Sequence, residues 1–240
     1  MFSNWFLKSF RILFLPFAII YWLVLWVRNF LYNKNIFRSS SFGLPVICVG
    51  NLSVGGTGKS PMVEFLVERL KGRFRIATLS RGYKRKTRGY ALANEHSTAL
   101  DIGDEPMLFH LKFPGVPVAV GEERLVAIPQ LLHDKPDLKA IILDDAFQHR
   151  AINAGLNILL TDFNNLFTRD FYLPTGDLRD LKSAYKRAHI IVVTKCKPEL
   201  TDDEADKIRK RFGHCPASRF FFRPFNMAHP TTLQDSITLN

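Results

Sequence analysis

The sequence predicts an α/β fold, a mainly parallel sheet with flanking helices, preceded by an N-terminal hydrophobic membrane helix. Three observations predict it. Short apolar runs recur at intervals long enough to hold a helix between them, a glycine-rich turn joins one run to an apolar pattern of helical spacing, and a charge-free stretch of 16 residues (12–27) precedes them all. The 240 residues suffice for one large domain, and 47% hydrophobic with 23% charged residues exclude a disordered or collagen-like chain. A net charge of +11 points to an anionic partner: nucleotide, phosphorylated substrate, nucleic acid or acidic membrane. Cys48, Cys196 and Cys215 are odd in number and contain no Cys-x-x-Cys pair, so neither a disulfide framework nor a zinc site is indicated and a reducing compartment is expected.

The first element, ILFLPFAIIYWLVLWV, falls just short of the ~20 residues that span hydrocarbon as a helix. It lengthens at both ends if Arg11 and Arg28 snorkel, and Tyr21, Trp22 and Trp26 suit an interface, so a tilted or monotopic helix over residues 1–38 is expected. No small-x-small site follows to make it a cleavable signal peptide. Basic residues on both sides (Lys8 and Arg11; Arg28, Lys34 and Arg38) leave its orientation open. The polar stretch 39–43, with Gly43, reads as a linker to a globular domain at 44–225. Apolar runs at 46–49, 75–79, 116–120, 140–143, 156–160 and 190–194 read as strands. Residues 226–240 read as a polar tail.

Residues 49–60, VGNLSVGGTGKS, lie where the first strand turns into a helix whose apolar positions are Met62, Phe65, Leu66 and Leu70. Gly58, Lys59 and Ser60 meet the phosphate-loop pattern G-x-x-x-x-G-K-[ST], whereas its first position is Ser53. The chemistry survives that change: Gly55, Gly56 and Gly58 let backbone N–H groups approach phosphate oxygens, and the helix N-terminus adds its positive dipole end. The expected nucleotide-binding set is Ser53, Val54, Gly55, Gly56, Thr57, Gly58, Lys59 and Ser60, with Lys59 at the β/γ-phosphates and the Ser60 hydroxyl, first in the helix, toward Mg²⁺. The fold is therefore P-loop NTPase-like. A second strand, AIILDD, ends in Asp144 and Asp145, which should face the same crevice at the strands' carboxyl ends. Carboxylates beside phosphates require a cation, so both are read as Mg²⁺ ligands or holders of its waters.

Five motifs in order, GNLSVGGTGKSP (50–61), SRGY (80–83), GDEP (103–106), DDAFQH (144–149) and PTGDLR (174–179), resemble the lipid A 4'-kinases, the tetraacyldisaccharide 4'-kinases of Gram-negative bacteria. The resemblance runs from the apolar segment to about Phe222. It implies transfer of the ATP γ-phosphoryl group to the 4'-hydroxyl of the lipid A disaccharide 1-phosphate precursor, by a monomer at the cytoplasmic face of the inner membrane. It implies Asp104 as the base, which by residue type alone reads equally as a helix-cap aspartate. Lys59 and Arg179 complete the catalytic set, Arg179 because its planar fork suits phosphoryl oxygens. The metal set is Ser60, Asp144, Asp145 and Gln148. Arg81, Tyr83 and His149 are expected at the substrate, although His149 alone reads as a packing histidine. The basic run RGYKRKTR (81–88) suits the substrate's 1-phosphate or an acidic bilayer.

Two departures from the family pattern stand out. Leu-Arg-Asp (178–180) replaces the usual Leu-Arg-Glu, and a weaker role is expected of the shorter Asp180. Family members also run on into a second lobe with an Asp-His-His motif; His229 does not match it, so a different residue serves or the chain is a short or divergent member. The rival readings are a membrane-tethered GTPase or ATPase and a non-catalytic nucleotide sensor. The stretch Thr194-Lys195-Cys196-Lys197 has lysine where a guanine-reading motif needs an acid, which favours adenine. No nucleic-acid-binding signature appears, and none is expected as a partner.

Overall fold

A computed structural model describes residues 11, 13–213, 216 and 219–224. The expected polar tail at 226–240, along with Lys8, Cys215 and His229, lies outside the described residues.

The apolar runs become strands β1 (Val46–Asn51), β2 (Ile76–Ser80), β4 (Val118–Val120), β5 (Ala140–Asp144), β6 (Leu156–Asp162) and β7 (Ile190–Cys196). Two further strands were not expected: β3 (Ala91–Leu92), too short to show a period, and β8 (Phe220–Pro224). One sheet runs β3-β4-β2-β5-β1-β6-β7-β8, parallel throughout except β3 against β4. The chain leaves β1 for one half of the sheet, returns through β5, then crosses to β6, β7 and β8 in the other. The crevice at such a reversal lies outside the carboxyl ends of the central strands, which places it over β1 and β5.

Strand alternation divides the core. Val49, Ile142, Ile158 and Leu160 face the side covered by α2 (Lys59–Leu70) through Met62, Val63 and Val67, and by α4 (Asp104–Lys112) through Phe109. Cys48, Ile141, Leu143 and Leu159 face the other side, packed by Ile128 and Leu131 of α5 (Arg124–Asp134) and Ile208 of α6 (Asp202–Lys210). The short α3 (Ala99–Ile102) ends at Gly103, whose φ of 96° turns the chain so that Asp104 opens α4.

The apolar segment forms α1 (Leu15–Asn33), with Pro16 in its first turn, where a missing N–H is harmless. It is not set apart by a linker. Ser40 pairs with Ile152, the Ser39 hydroxyl donates to the Arg150 carbonyl, and α1 lies against the domain. Its buried residues are Ala18, Leu25 and Asn29, while Phe17, Ile20, Leu23, Val24, Trp26 and Val27 are exposed. The helix thus bonds to the domain through Tyr21, Arg28 and Asn29 while keeping an exposed apolar side.

Candidate active site

Sequence and topology bring the phosphate loop, the acidic strand end and the 170–179 loop to one cleft of about 910 Å³. The phosphate loop follows β1, and Gly58, with φ of 83°, supplies the left-handed turn that starts α2. The helix begins at Lys59, so Ser60 is its second residue rather than its first. The loop is fixed from two sides. The Thr194 hydroxyl at the end of β7 donates to the Thr57 carbonyl at 2.9 Å, and the Val54 N–H donates to the Asp177 carbonyl at 2.7 Å. The Arg179 N–H reaches the Leu52 carbonyl at 2.9 Å, so the chain carrying Arg179 runs against the entry to the loop.

That pairing sets the charges. Arg179 donates through Nη1 to Asp145 Oδ2 at 3.0 Å, and through Nη2 to Asp145 Oδ1 and Asn51 Oδ1. Lys59 Nζ stands 3.4 Å from the same Asn51 oxygen and 3.7 Å from Asp145 Oδ1. Two cations thus converge on one carboxylate and one amide at the mouth of the phosphate loop. Burial alone would raise the Asp145 carboxyl, but the Arg179 hydrogen bonds and charge, with Lys59 and Arg124, hold it below the usual carboxylate range.

Asp144 is the opposite case. It is 2% exposed, Oδ1 has no hydrogen-bond partner among the described residues, and burial, then the charges of Glu105 and Asp145, push its carboxyl up to about 7. Glu105 accepts a hydrogen bond from the Ser60 hydroxyl and is itself raised, by burial first, against the pull of Lys59. The site therefore offers oxygen donors only, one of them an orphaned buried carboxylate. That donor chemistry fits a hard cation such as Mg²⁺. Among the described residues no three His, Cys, Asp or Glu side chains form a cation site by themselves, which suits an ion that also draws on phosphate oxygens and water.

Other expected residues divide between two places. Asp104, Arg81 and Tyr83 line the same cleft, Asp104 exposed at the start of α4. Gln148 does not line it: its amide donates to the Asn51 carbonyl at 2.5 Å, a backbone bond that leaves it holding the loop. His149 lines a second cavity of about 330 Å³ with Arg150, Arg187 and His189, whereas Arg81 and Tyr83 line the first. Burial, then the charge of Arg124, holds its imidazole below the ordinary range. Arg85, in the basic run, is not free for a substrate phosphate either, because its side chain is 2% exposed and paired with Glu122 at 2.6 Å.

Sequence reasoning missed Asn51, Glu105, Thr194 and Arg124. Arg124, 1% exposed, donates to the Gly121 carbonyl at 3.0 Å, and burial lowers its guanidinium to about 10 although it lies in the field of Asp144 and Asp145. Asn51 and Glu105 stood inside quoted motifs beside residues given roles, and only side-chain direction identifies them. The guanine-reading alternative gains nothing here: Lys197 pairs with Glu204 at 2.7 Å, and Thr194 is committed to the phosphate loop.

A family model described as tetraacyldisaccharide-1-P 4'-kinase matches residues 10–234. A tetraacyldisaccharide 4'-kinase of Flavobacterium johnsoniae is 51% identical over 212 residues, 88% of this chain and 62% of the relative. One from Bacteroides thetaiotaomicron is 49% identical over 88% of this chain and 56% of its own length. The chain thus spans about three fifths of the curated relatives it matches. A crystal structure described as LpxK from Aquifex aeolicus in complex with ATP superposes with a TM-score of 0.74 at 35% identity, covering 89% of this chain and 64% of that one.

Proposed function

The chain belongs to the tetraacyldisaccharide-1-P 4'-kinase family, and from that premise we propose that it transfers the γ-phosphoryl group of ATP to the 4'-hydroxyl of the lipid A disaccharide 1-phosphate precursor. The observation that carries the reading is the convergence of Lys59 and Arg179 on Asp145 and Asn51, in a cleft that Asp104 also lines. Phosphoryl transfer asks little of a protein beyond alignment and charge neutralisation. Lys59 and Arg179 supply two positive charges where the phosphate loop would hold the β- and γ-phosphates. Incoming phosphate oxygens compete with Asp145 for both cations. Asp144, Asp145, Ser60 and Glu105 are the groups that would hold Mg²⁺, which when bound neutralises phosphate charge. Asp104 accepts the hydroxyl proton as the sugar oxygen bonds to the γ-phosphorus and the bond to the β–γ bridging oxygen breaks, releasing ADP. ATP binding by the Aquifex aeolicus relative supports adenine nucleotide as donor.

The membrane reading follows from α1. Its polar contacts run from Tyr21 through Arg28 to Asn33, bonded to Arg150 at 2.8 Å, and Arg11, just before the helix, bonds to Asp177 at 2.8 Å. A helix crossing the bilayer in this pose would carry the domain segments that bear Asp177, Asp180 and Arg150 into hydrocarbon, where each charge costs about 3 kcal/mol. A helix lying in the interface, its exposed apolar side down, does not, so the reading is a monotopic protein on the cytoplasmic face of the inner membrane. The acyl chains of the acceptor then stay in the bilayer while its sugar reaches the cleft. Doubling Leu23→Ser with Val27→Ser is expected to weaken partition onto anionic lipid vesicles on the order of tenfold or more. Unchanged co-sedimentation would refute the interfacial helix.

The deciding experiment for activity follows labelled γ-phosphate from ATP to the acceptor in detergent micelles, comparing the chain with Asp104→Ala. Transfer should fall by roughly 10²- to 10⁴-fold in the variant while ATP binding survives. Equal transfer by both removes Asp104 from the chemistry. ATP binding without transfer by either would mean that the second lobe of the family is required for transfer or that the nucleotide-sensor reading is right.

A further inference from the structure

Asp180 was expected to matter less than the longer acid usual at its position, yet it is fully buried at 0% exposure. Buried carboxylates persist where they are paired, and this one accepts from Asn29 Nδ2 at 2.9 Å, Arg187 Nη2 at 2.7 Å and the Leu181 N–H at 2.8 Å. Asn29 is the buried polar residue of α1, and its side-chain oxygen accepts from Arg150 at 2.9 Å. Arg187 passes on to the Phe147 carbonyl at 3.0 Å, Arg28 reaches the Gln148 carbonyl at 2.5 Å, and the Tyr21 hydroxyl reaches the Arg179 carbonyl at 3.2 Å. Residues 144–150 and 177–180, the segments bearing Asp145 and Arg179, are thus both bonded to one face of the apolar helix.

We propose that Asn29 and Asp180 are positioning residues, a buried junction through which α1 fixes Arg179 over the phosphate loop. This rests on the kinase reading and deepens it. If α1 served only to hold the chain at a membrane, its domain-facing side would need shape and apolar area. Beside the buried Ala18 and Leu25 it also presents an amide, a phenol and a guanidinium, each spent on a segment of the site. Asp180 is adjacent to Arg179 in sequence, so a shift of its backbone moves the neighbouring guanidinium away from Asp145 and Asn51. The junction touches no reacting atom; its effect passes through Arg179.

The consequence is specific. Lys59 and Arg179 share Asp145, so Arg179 stands where the terminal phosphate of a triphosphate would lie, and its placement should decide preference for ATP over ADP. The test measures both affinities by displacement of a fluorescent adenine nucleotide from the full chain in detergent, together with thermal midpoints, for Asn29→Leu, Asp180→Asn and Asp180→Glu. Asn29→Leu and Asp180→Asn should each cut the ATP/ADP preference by roughly tenfold, mainly through ATP, and Asp180→Glu, which restores the carboxylate, should recover part of it. Asp180→Asn leaves Arg187 without its counter-charge and could unfold; Asn29→Leu keeps that pair and then decides. A preference unchanged in Asn29→Leu, or equal losses for ATP and ADP, would overturn the proposal and make the junction a scaffold. A wild-type chain that binds neither nucleotide would instead sink the kinase reading, and this inference with it.

Discussion

The Lys59→Ala variant is expected to transfer phosphate roughly 10²- to 10³-fold more slowly than the wild-type chain, the cost of removing one preorganised charge from a developing phosphoryl transition state. Lys59 suits that loss because it is held rather than mobile. Its side chain is 17% exposed, and its ammonium is braced between Asn51 Oδ1 at 3.4 Å and Asp145 at 3.7 Å. Val54 offers no comparable charge, since its N–H is committed to the Asp177 carbonyl, and Gly55, with φ of 118°, would act only through backbone strain. The fold should tolerate the change: Asp145 keeps its bonds to Arg179, so no buried charge is stranded. Single-turnover transfer and a thermal melt on the same preparation separate the two effects. Transfer that survives at wild-type rate would mean the nucleotide does not sit on this loop.

What the sequence made legible follows the reach of its signals. The strand–loop–helix around Lys59 could be read because a short apolar run, a glycine cluster and a helical period meet within 25 residues, 46–70. The acidic strand end could be read because β5 is apolar on both faces until Asp144. β3 could not, having two residues, and edge strand β8 follows no motif. The docking of α1 left a faint trace. Ala18, Tyr21, Leu25, Arg28 and Asn29 are spaced to share one helical face, and in a stretch read for hydrophobicity alone two polar residues at its end look like the boundary of a span. Asp180 was underrated because chain length was compared where burial decides. Gln148 and His149 follow the acidic pair in one motif, but the turn after β5 sends the Gln148 amide to the Asn51 backbone and His149 to another cavity. Adjacency in sequence does not carry direction through a turn.

Asp144→Asn should make the ion-free protein more stable at pH 8 while abolishing its ion-dependent transfer, because the native carboxylate sits where only a cation would justify it. Its pKa is pushed up to about 7 in the folded chain against an ordinary 3.8, by burial first and then by Glu105 and Asp145. The sign follows from proton counting. Below about pH 4 both folded and unfolded chains hold this proton and it contributes nothing to the pH dependence. Between about 4 and 7 the folded chain keeps a proton that the unfolded chain releases, so stability falls as pH rises, and above 7 the full penalty remains. A shift of this size amounts to something on the order of 1 to 4 kcal/mol, which an asparagine of nearly the same shape would not incur. In chelator, the thermal midpoint of Asp144→Asn should exceed that of the wild type at pH 8, and the gap should close toward pH 4. Adding Mg²⁺ with nucleotide should raise the wild type alone, more strongly at higher pH, because binding must expel the Asp144 proton. A gap that is the same at pH 5 and pH 8 would show that Asp144 does not titrate in this window. A gap confined to high pH and reversed by the ion would identify a carboxylate that weakens the empty fold and strengthens the loaded one, the trade expected of a residue retained for its ligand.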